Sequence, residues 1–195
     1  LLERLDQLGG RAQTFKKEGF VFDAGPTVIT APFLFDELFE LFDRNIKDYV
    51  EIMPVTPWYR YEFNDGTYLN YGGSVEDTLA EIRRINPEDA EGYKKLLAHS
   101  EKIFDKGFTQ LAHVPFNDFW FMMRQVPDLL RLECYRTVWQ FTKKYLKDDR
   151  LRRAFSIQPL LVGGNPFTTT SIYSLIHFLE RRWGVHYPRG GTGAL

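Results

Sequence analysis

Long apolar runs are missing from this chain. No stretch of its 195 residues approaches the ~20 apolar residues that a membrane-crossing helix needs. Cysteine is nearly missing as well. Cys134 stands alone, which excludes an internal disulfide and fits a reducing, cytoplasmic setting. Net charge is almost nil: 25 Lys and Arg against 26 Asp and Glu leave −1. That balance gives no electrostatic footprint for nucleic acid. Metal-ligand spacing is missing too. His99, His113, His177 and His186 form no ligand pattern, and His177 with Glu180 at i and i+3 is one pair rather than a site, so no metal is expected. The Ser and Cys residues fall in no nucleophile-elbow pattern. Asp148-Asp149 reads as helix-start charge rather than as an acid–base pair. Charges from Glu3 onward argue against a secretory signal.

Apolar residues are plentiful at 44%, enough for a real core. Aromatics reach 16%, with 17 Phe, 10 Tyr and 4 Trp. Such content suits a large core, a greasy ligand or a membrane interface.

The pattern predicts short strands at 13–16 and 20–22 around the turn Lys17-Glu18-Gly19, with a strand end at 1–3. Thr30 is placed to cap a helix that has Pro32 in its first turn. Residues 51–55 read as extended, and 58–63 with 67–71 as a hairpin around Asn64-Asp65-Gly66. Ser74 and Asp77 have capping-box spacing for a helix to Ile85. Asn86-Pro87-Glu88 restarts another, with Tyr93, Leu96, Leu97, Ser100, Phe104 and Phe108 as its buried stripe. Asp118 caps a short helix to Arg124, Pro127 opens a longer one to about Leu146, and Asp148-Asp149 opens a further short one. A Gly-rich loop at 160–166 precedes a helix over 171–183 that Gly184 ends. Residues 185–187 read as extended.

Four strings suggest chemistry. The chain opens on Leu1-Leu2-Glu3, like the second strand of a doubly wound nucleotide-binding fold, whose terminal acid accepts hydrogen bonds from ribose hydroxyls. Such a strand should follow a strand–GxGxxG–helix unit, and no GxGxxG stands ahead of it. A plain surface acid is the simpler reading of Glu3 taken alone. Gly9-Gly10-Arg11 is stronger: glycines let backbone approach a ligand, and a guanidinium forks onto a pyrophosphate. The competing reading is a surface turn with a solvated Arg. Asp23-Ala24-Gly25-Pro26 leaves a strand, with no side chain at Gly25 where a planar ring could lie; an ordinary strand exit is equally open. Pro188 to Leu195, PRGGTGAL, would expose successive amides at a helix start, which suits anions, or it is a bland Gly-rich turn.

Together these strings resemble bacterial-type phytoene desaturases, FAD-dependent carotenoid oxidoreductases of the amine-oxidase-like flavoprotein superfamily. LLERLDQLGGRA at 1–12, GFVFDAGPTVIT at 19–30, LVGGNPFTTTSIYSLIHFLERRWGV at 161–185 and PRGGTGAL at 188–195 carry the resemblance. YVEIMPVTPWY at 49–59 and NPEDAEGY at 86–93 extend it over essentially the whole chain. GGRA is shared by many flavoproteins; the 161–185 string is more specific.

The resemblance implies an α/β fold, α+β in this stretch. Residues 1–30 would be part of a Rossmann-type FAD domain, 31–185 a mainly helical substrate- and membrane-binding insertion with a β-hairpin, and 186–195 the return to the FAD domain. It implies FAD as cofactor, a long phytoene-like polyene as substrate, a membrane surface as partner and desaturation as the reaction. By similarity Glu3 would bind ribose, Gly9, Gly10 and Arg11 the pyrophosphate, and Gly25, Pro26 and Thr27 would lie near the flavin, with Gly190 and Gly191 returning to it. Family members begin with a GxGxxG unit and continue past PRGGTGAL, so an internal fragment is expected. A desaturase or isomerase of another carotenoid remains open, as does an inactive fragment that only binds apolar ligands or membrane. No motif marks a catalytic base. Arg124 is the one polar candidate, in an apolar helix, against the plainer reading of an arginine reaching the surface. Around it Phe116, Phe119, Trp120 and Met123 fall at i, i+3, i+4 and i+7, a stripe that suits either a membrane surface or the interior of the insertion.

Overall fold

The structure is a computed structural model that describes every residue except Leu1, Leu2, Gln7 and Phe116. Leu1 and Leu2 of the expected strand end at 1–3 and the first member of the aromatic stripe therefore lie outside the described residues, and the described Glu3 is in no strand. Helix and strand are mixed, as expected. The described strands form three two-stranded sheets, and each pair is antiparallel.

Contacts divide the chain into residues 1–56 with 183–195, and residues 57–182. The sequence expectation drew these boundaries at 30 and 185. In the first unit β1 (Thr14–Lys17) pairs with β2 (Phe20–Asp23), from Lys17↔Phe20 at the turn to Thr14↔Asp23 at the open end. The turn works because Glu18 and Gly19 take positive φ, 52° and 84°. Helix α1 (Phe33–Glu40) follows. Thr30 does not cap it. The Ala31 carbonyl already accepts from Leu34 N, so the first turn begins beyond reach of the Thr30 side chain, and Pro32 stands at the cap. β3 (Ile52–Pro54) then pairs with β6 (His186–Pro188), and Ile29 bridges to His186 through two backbone bonds of 3.0 and 2.8 Å.

In the second unit β4 (Tyr59–Glu62) and β5 (Tyr68–Tyr71) form the expected hairpin. Its Asp65 side chain accepts from Thr67 N at 3.0 Å and Gly66 takes φ 78°. The capping box holds: Ser74 Oγ accepts from Asp77 N at 3.1 Å, Asp77 Oδ2 accepts from Ser74 N at 2.8 Å, and α2 (Val75–Ile85) runs to the expected end. Helix α3 (Asp89–Phe104) passes into one wide turn, Asp105–Gln110.

Here one expectation fails. Instead of a break at Pro127, a single helix α4 (Phe119–Arg131) carries Pro127 inside it, and α5 (Val138–Tyr145) is separate. The real boundary is at Glu133, which takes φ 56°, and at Thr137, whose hydroxyl accepts from Gln140 N while Gln140 Oε1 accepts from Thr137 N. That capping box outweighs a proline whose missing N–H costs α4 one bond. Helix α6 (Asp149–Ala154) is capped by Asp148 as expected. A 3-10 turn, Ser171–Ser174, leads into α7 (Leu175–Trp183).

The core takes Leu69 and Tyr71 from β5, Leu79 and Ile82 from α2, and Tyr93 and Leu96 from α3. Phe141, Leu151 and Phe155 close it. Asp89 is buried at the start of α3 and ties α5 to α6: its two oxygens accept from Lys147 N at 2.7 Å and Asp148 N at 2.8 Å. One turn on, the α3 backbone at Gly92 meets the Tyr145 carbonyl so closely that a methyl group there would collide with it.

Gly92→Ala separates packing from propensity. Propensity alone would favour alanine in a helix interior by about 1 kcal/mol. The collision with a backbone carbonyl gives a net loss of about 1–3 kcal/mol, read by urea denaturation.

Candidate functional site

The open end of the β1–β2 hairpin gathers three of the sequence motifs. The turn Gly9 to Ala12 closes with Ala12 N on Gly9 O at 2.8 Å, and Gly9 and Gly10 take φ 117° and 54°. These values are left-handed and suit glycine. Ala24 N donates to Gln13 O at 2.7 Å, and Gly25 lies directly on the Arg11 carbonyl and the Ala12 backbone, where any Cβ would collide. The Pro188 to Leu195 loop lies across the last strand pair. Asp23 Oδ1 accepts from both Thr192 N and Thr192 Oγ1 at 3.0 Å. A Cβ on Gly191 would strike the Asp23 carboxylate, and one on Gly193 would press on the Thr14 side chain at 2.9 Å.

The expected residues divide accordingly. Gly9, Gly10, Arg11, Gly25 and Gly191 come together around Thr14↔Asp23, with Gly190 next in the loop. Arg11 is exposed, and the space beside Gly10 is open. Pro26 is exposed and Thr27 half-buried. Glu3 does not join them by any contact; its Oε1 accepts from Leu5 N at 2.9 Å within its own turn. Sequence reasoning gave Asp23 no role, yet its carboxylate ties the loop to the hairpin. An acid at a strand end before Gly-Pro is the available signal.

Arg124 belongs to the other unit and is exposed on α4. That helix turns one apolar side outward. Phe119 is 64% and Trp120 71% exposed, and Met122, Met123 and Leu130 are exposed with them. Leu129 and Leu132 pack on the core from the other side. Packing of the stripe inside the unit, one of the two expectations, is thus not what Phe119, Trp120 and Met123 do.

A buried polar cluster in the same unit has no counterpart among the motifs. Glu180 on α7 has 0% exposure. Its Oε1 accepts from Tyr59 OH at 2.9 Å, and Oε2 has no hydrogen-bond partner among the described residues. Burial pushes its pKa from 4.5 up to about 7, against the Tyr59 hydrogen bond and the Arg181 charge, which pull the other way. Tyr59, Tyr61 and Tyr71 are all held above the ordinary phenol value, by burial first and the Glu180 charge after it. Arg181 donates to Gly73 O at 2.8 Å and Thr78 Oγ1 at 2.6 Å and stacks over Trp58, 4.4 Å from the ring centre. One turn before Glu180, His177 is fully buried between Gln158 Nε2 at 3.2 Å and Phe155 O at 3.0 Å. Burial pulls its pKa down to about 4. Burial thus favours the neutral acid at Glu180 and the neutral imidazole at His177. Its sequence traces were the His177–Glu180 pair at i and i+3, set aside as a metal site, and the alternation of Tyr59 and Tyr61 on one hairpin face.

The chain belongs to the flavin containing amine oxidoreductase family, whose model matches residues 1–195. Within it, the chain is 50% identical to a lycopene-forming phytoene desaturase of Pantoea ananas over 195 residues, 100% of this chain and 40% of that protein. It is 36% identical to a neurosporene-forming phytoene desaturase of Cereibacter sphaeroides, over 100% of this chain and 38% of that protein. It is 33% identical to a 4,4'-diapolycopen-4-al dehydrogenase of Metabacillus indicus, over 100% of this chain and 40% of that protein. The chain thus spans about two-fifths of the length of the curated relatives it matches.

The buried pair sets opposed pH dependences. Between pH 4.5 and about 7 an unfolded chain ionises Glu180 while the folded one keeps it protonated, so this group lowers stability as pH rises, by about 3 kcal/mol in all. As pH falls from 6.5 to about 4 the unfolded chain protonates His177 and the folded one does not, so this group lowers stability as pH falls, by about 3 kcal/mol. The two largely offset in the wild type. Glu180→Gln keeps an acceptor for Tyr59 and leaves the histidine alone. Its unfolding free energy should rise by about 3 kcal/mol from pH 4 to 6.5, against a much flatter wild-type profile. Parallel profiles in urea would remove Glu180 as a proton store.

Proposed function

We propose that the protein carrying this chain is an FAD-dependent desaturase of a long carotenoid precursor, taking phytoene towards lycopene. The observation that carries the reading is the meeting of Gly9-Gly10-Arg11, Gly25 and Gly191 at one hairpin end, in a chain half identical to a lycopene-forming phytoene desaturase. The residues fit the cofactor. Open space beside Gly10 and the exposed Arg11 guanidinium offer amides and a fork to a pyrophosphate. Gly25 and Gly191 let the strand exit and the C-terminal loop pack onto the hairpin end, Gly25 against the Arg11 carbonyl and Gly191 against the Asp23 carboxylate.

When bound, FAD supplies the two-electron acceptor for loss of two hydrogens from a C–C single bond, a hydride and a proton. This chain contributes binding and orientation. Gly9, Gly10 and Arg11 hold the diphosphate, Glu3 the ribose, and Gly25, Pro26 and Thr27 with Gly190 and Gly191 line the flavin side. In this reading residues 1–30 and 186–195 are parts of a Rossmann-type FAD domain and 31–185 hold the substrate. Arg124 stays a weak candidate for contact with substrate, since its exposed place on α4 suits a surface role equally well. No described helix is long and apolar enough to cross a membrane. The outward side of α4 supports peripheral contact with the bilayer, where a hydrocarbon substrate dissolves. A desaturase of another carotenoid is the second reading; the weaker 33% match to the diapolycopenal dehydrogenase favours it less.

Phytoene offered to the flavin-loaded protein should yield more conjugated products that absorb at longer wavelength. Absence of any conjugated product rejects the desaturase reading. Arg11→Ala should weaken flavin retention by about 1.5–3 kcal/mol, the scale of a charged hydrogen bond, measured by flavin fluorescence on dilution. Unchanged retention removes Arg11 from the pyrophosphate site.

A further inference from the structure

Along one side of α3 and the wide turn that continues it, Lys95, His99, Lys102 and Lys106 recur at i, i+4, i+7 and i+11. On a helix that spacing makes a single stripe. The stripe faces a groove of about 720 Å³ whose opposite wall is α4, through Asp128, Arg131 and Leu132. Lys106 crosses it to Asp128 at 2.6 Å. Besides Asp128, only Asp105 brings negative charge to the lining, so four cations face two carboxylates. Lys95, Lys102 and Arg131 are exposed, and none of the three has an ion pair among the described residues.

The floor of the groove already feels this charge. His99 Nε2 lies 3.1 Å from Leu132 O, which can only accept, and Nδ1 lies 2.7 Å from Tyr145 OH. Nε2 therefore carries a proton and donates to Leu132 O, while Tyr145 OH can donate to or accept from Nδ1. Burial first, and then the positive charges of Lys144 and Lys102, hold the His99 pKa below the usual value.

Lys95 to Lys106 cover about 16 Å of helix at 1.5 Å per residue, more than one phosphate group can span. A surface carrying many phosphates can meet them all. The same α4 that forms the groove's far wall turns Phe119, Trp120, Met122 and Met123 outward. Apolar aromatics and basic residues carried on one helix are the pairing that interfacial helices use on anionic bilayers.

We propose that the α3–α4 groove binds the phosphates of anionic phospholipid headgroups, with the outward side of α4 set into the same leaflet. This rests on the peripheral-membrane reading above and adds the lipid class to it.

The test is co-sedimentation of the protein with vesicles of phosphatidylcholine alone and of phosphatidylcholine with 30% phosphatidylglycerol. The wild type should prefer the anionic vesicles, and the preference should fade with added salt. Lys95→Gln with Lys102→Gln should weaken binding to anionic vesicles about fivefold per lysine and leave binding to phosphatidylcholine unchanged. Phe119→Ser with Trp120→Ser should weaken binding to both compositions. Full anionic preference in the lysine double variant overturns the groove. If the aromatic variant binds like wild type while the lysine variant loses its preference, the α4 contact fails and the groove stands. No wild-type binding to either vesicle overturns both. Inorganic phosphate at matched ionic strength should displace no more protein than chloride does; stronger displacement reassigns the groove to a soluble phosphate and overturns the lipid.

Discussion

Backbone meeting backbone, closer than any side chain allows, is the constraint on which both units depend. At Gly25 the strand exit rests on the Arg11 carbonyl; at Gly92 a helix rests on the Tyr145 carbonyl. The first contact fixes where the GGRA turn stands against the DAGP turn. The second brings α3 against the end of α5, so that Asp89 can take the two amides of Lys147 and Asp148. Neither approach tolerates a methyl group. Each converts a missing side chain into a fixed distance between segments far apart in sequence.

Buried charge is handled differently at the two places where it occurs. Asp89 is buried with its two oxygens on the backbone amides of Lys147 and Asp148. Glu180 is buried with one oxygen on a phenol and the other without a partner among the described residues, a setting that favours the neutral acid. The residue types are similar.

Much of the local structure was legible because short-range chemistry settles it. Ser74 with Asp77, Asp148, and Asn64-Asp65-Gly66 each specify a cap or turn within four residues, and each formed as read. Pro127 misled because a proline's cost to a helix is one local term, and the Thr137–Gln140 box with the left-handed Glu133 outweighed it. The glycines at 9, 10, 25 and 191 were legible as turns, and their meeting at Thr14↔Asp23 was not. That meeting depends on Asp23 reaching Thr192, a separation that no local pattern encodes. The Glu180 cluster was illegible for the same reason: Tyr59 lies 121 positions from its partner.

Helix α4 shows a further boundary of sequence reading. Periodicity reveals an apolar stripe but not which way it faces. Phe121, Leu129 and Leu132 fall on one side, and Phe119, Trp120, Met123 and Leu130 on another. A helix apolar on two sides can give only one to its own core. The structure gives Leu129 and Leu132 to the core and leaves the aromatic side in solvent. Exposed rings on that scale are unfavourable in water, by roughly 25 cal/mol for each Å² of apolar surface. They share α4 with Arg131, which lines the groove together with Lys95 and Lys102, and none of these three has an ion pair among the described residues. An apolar side next to a basic groove is poorly matched to water and well matched to an interface that is greasy within and anionic at its rim.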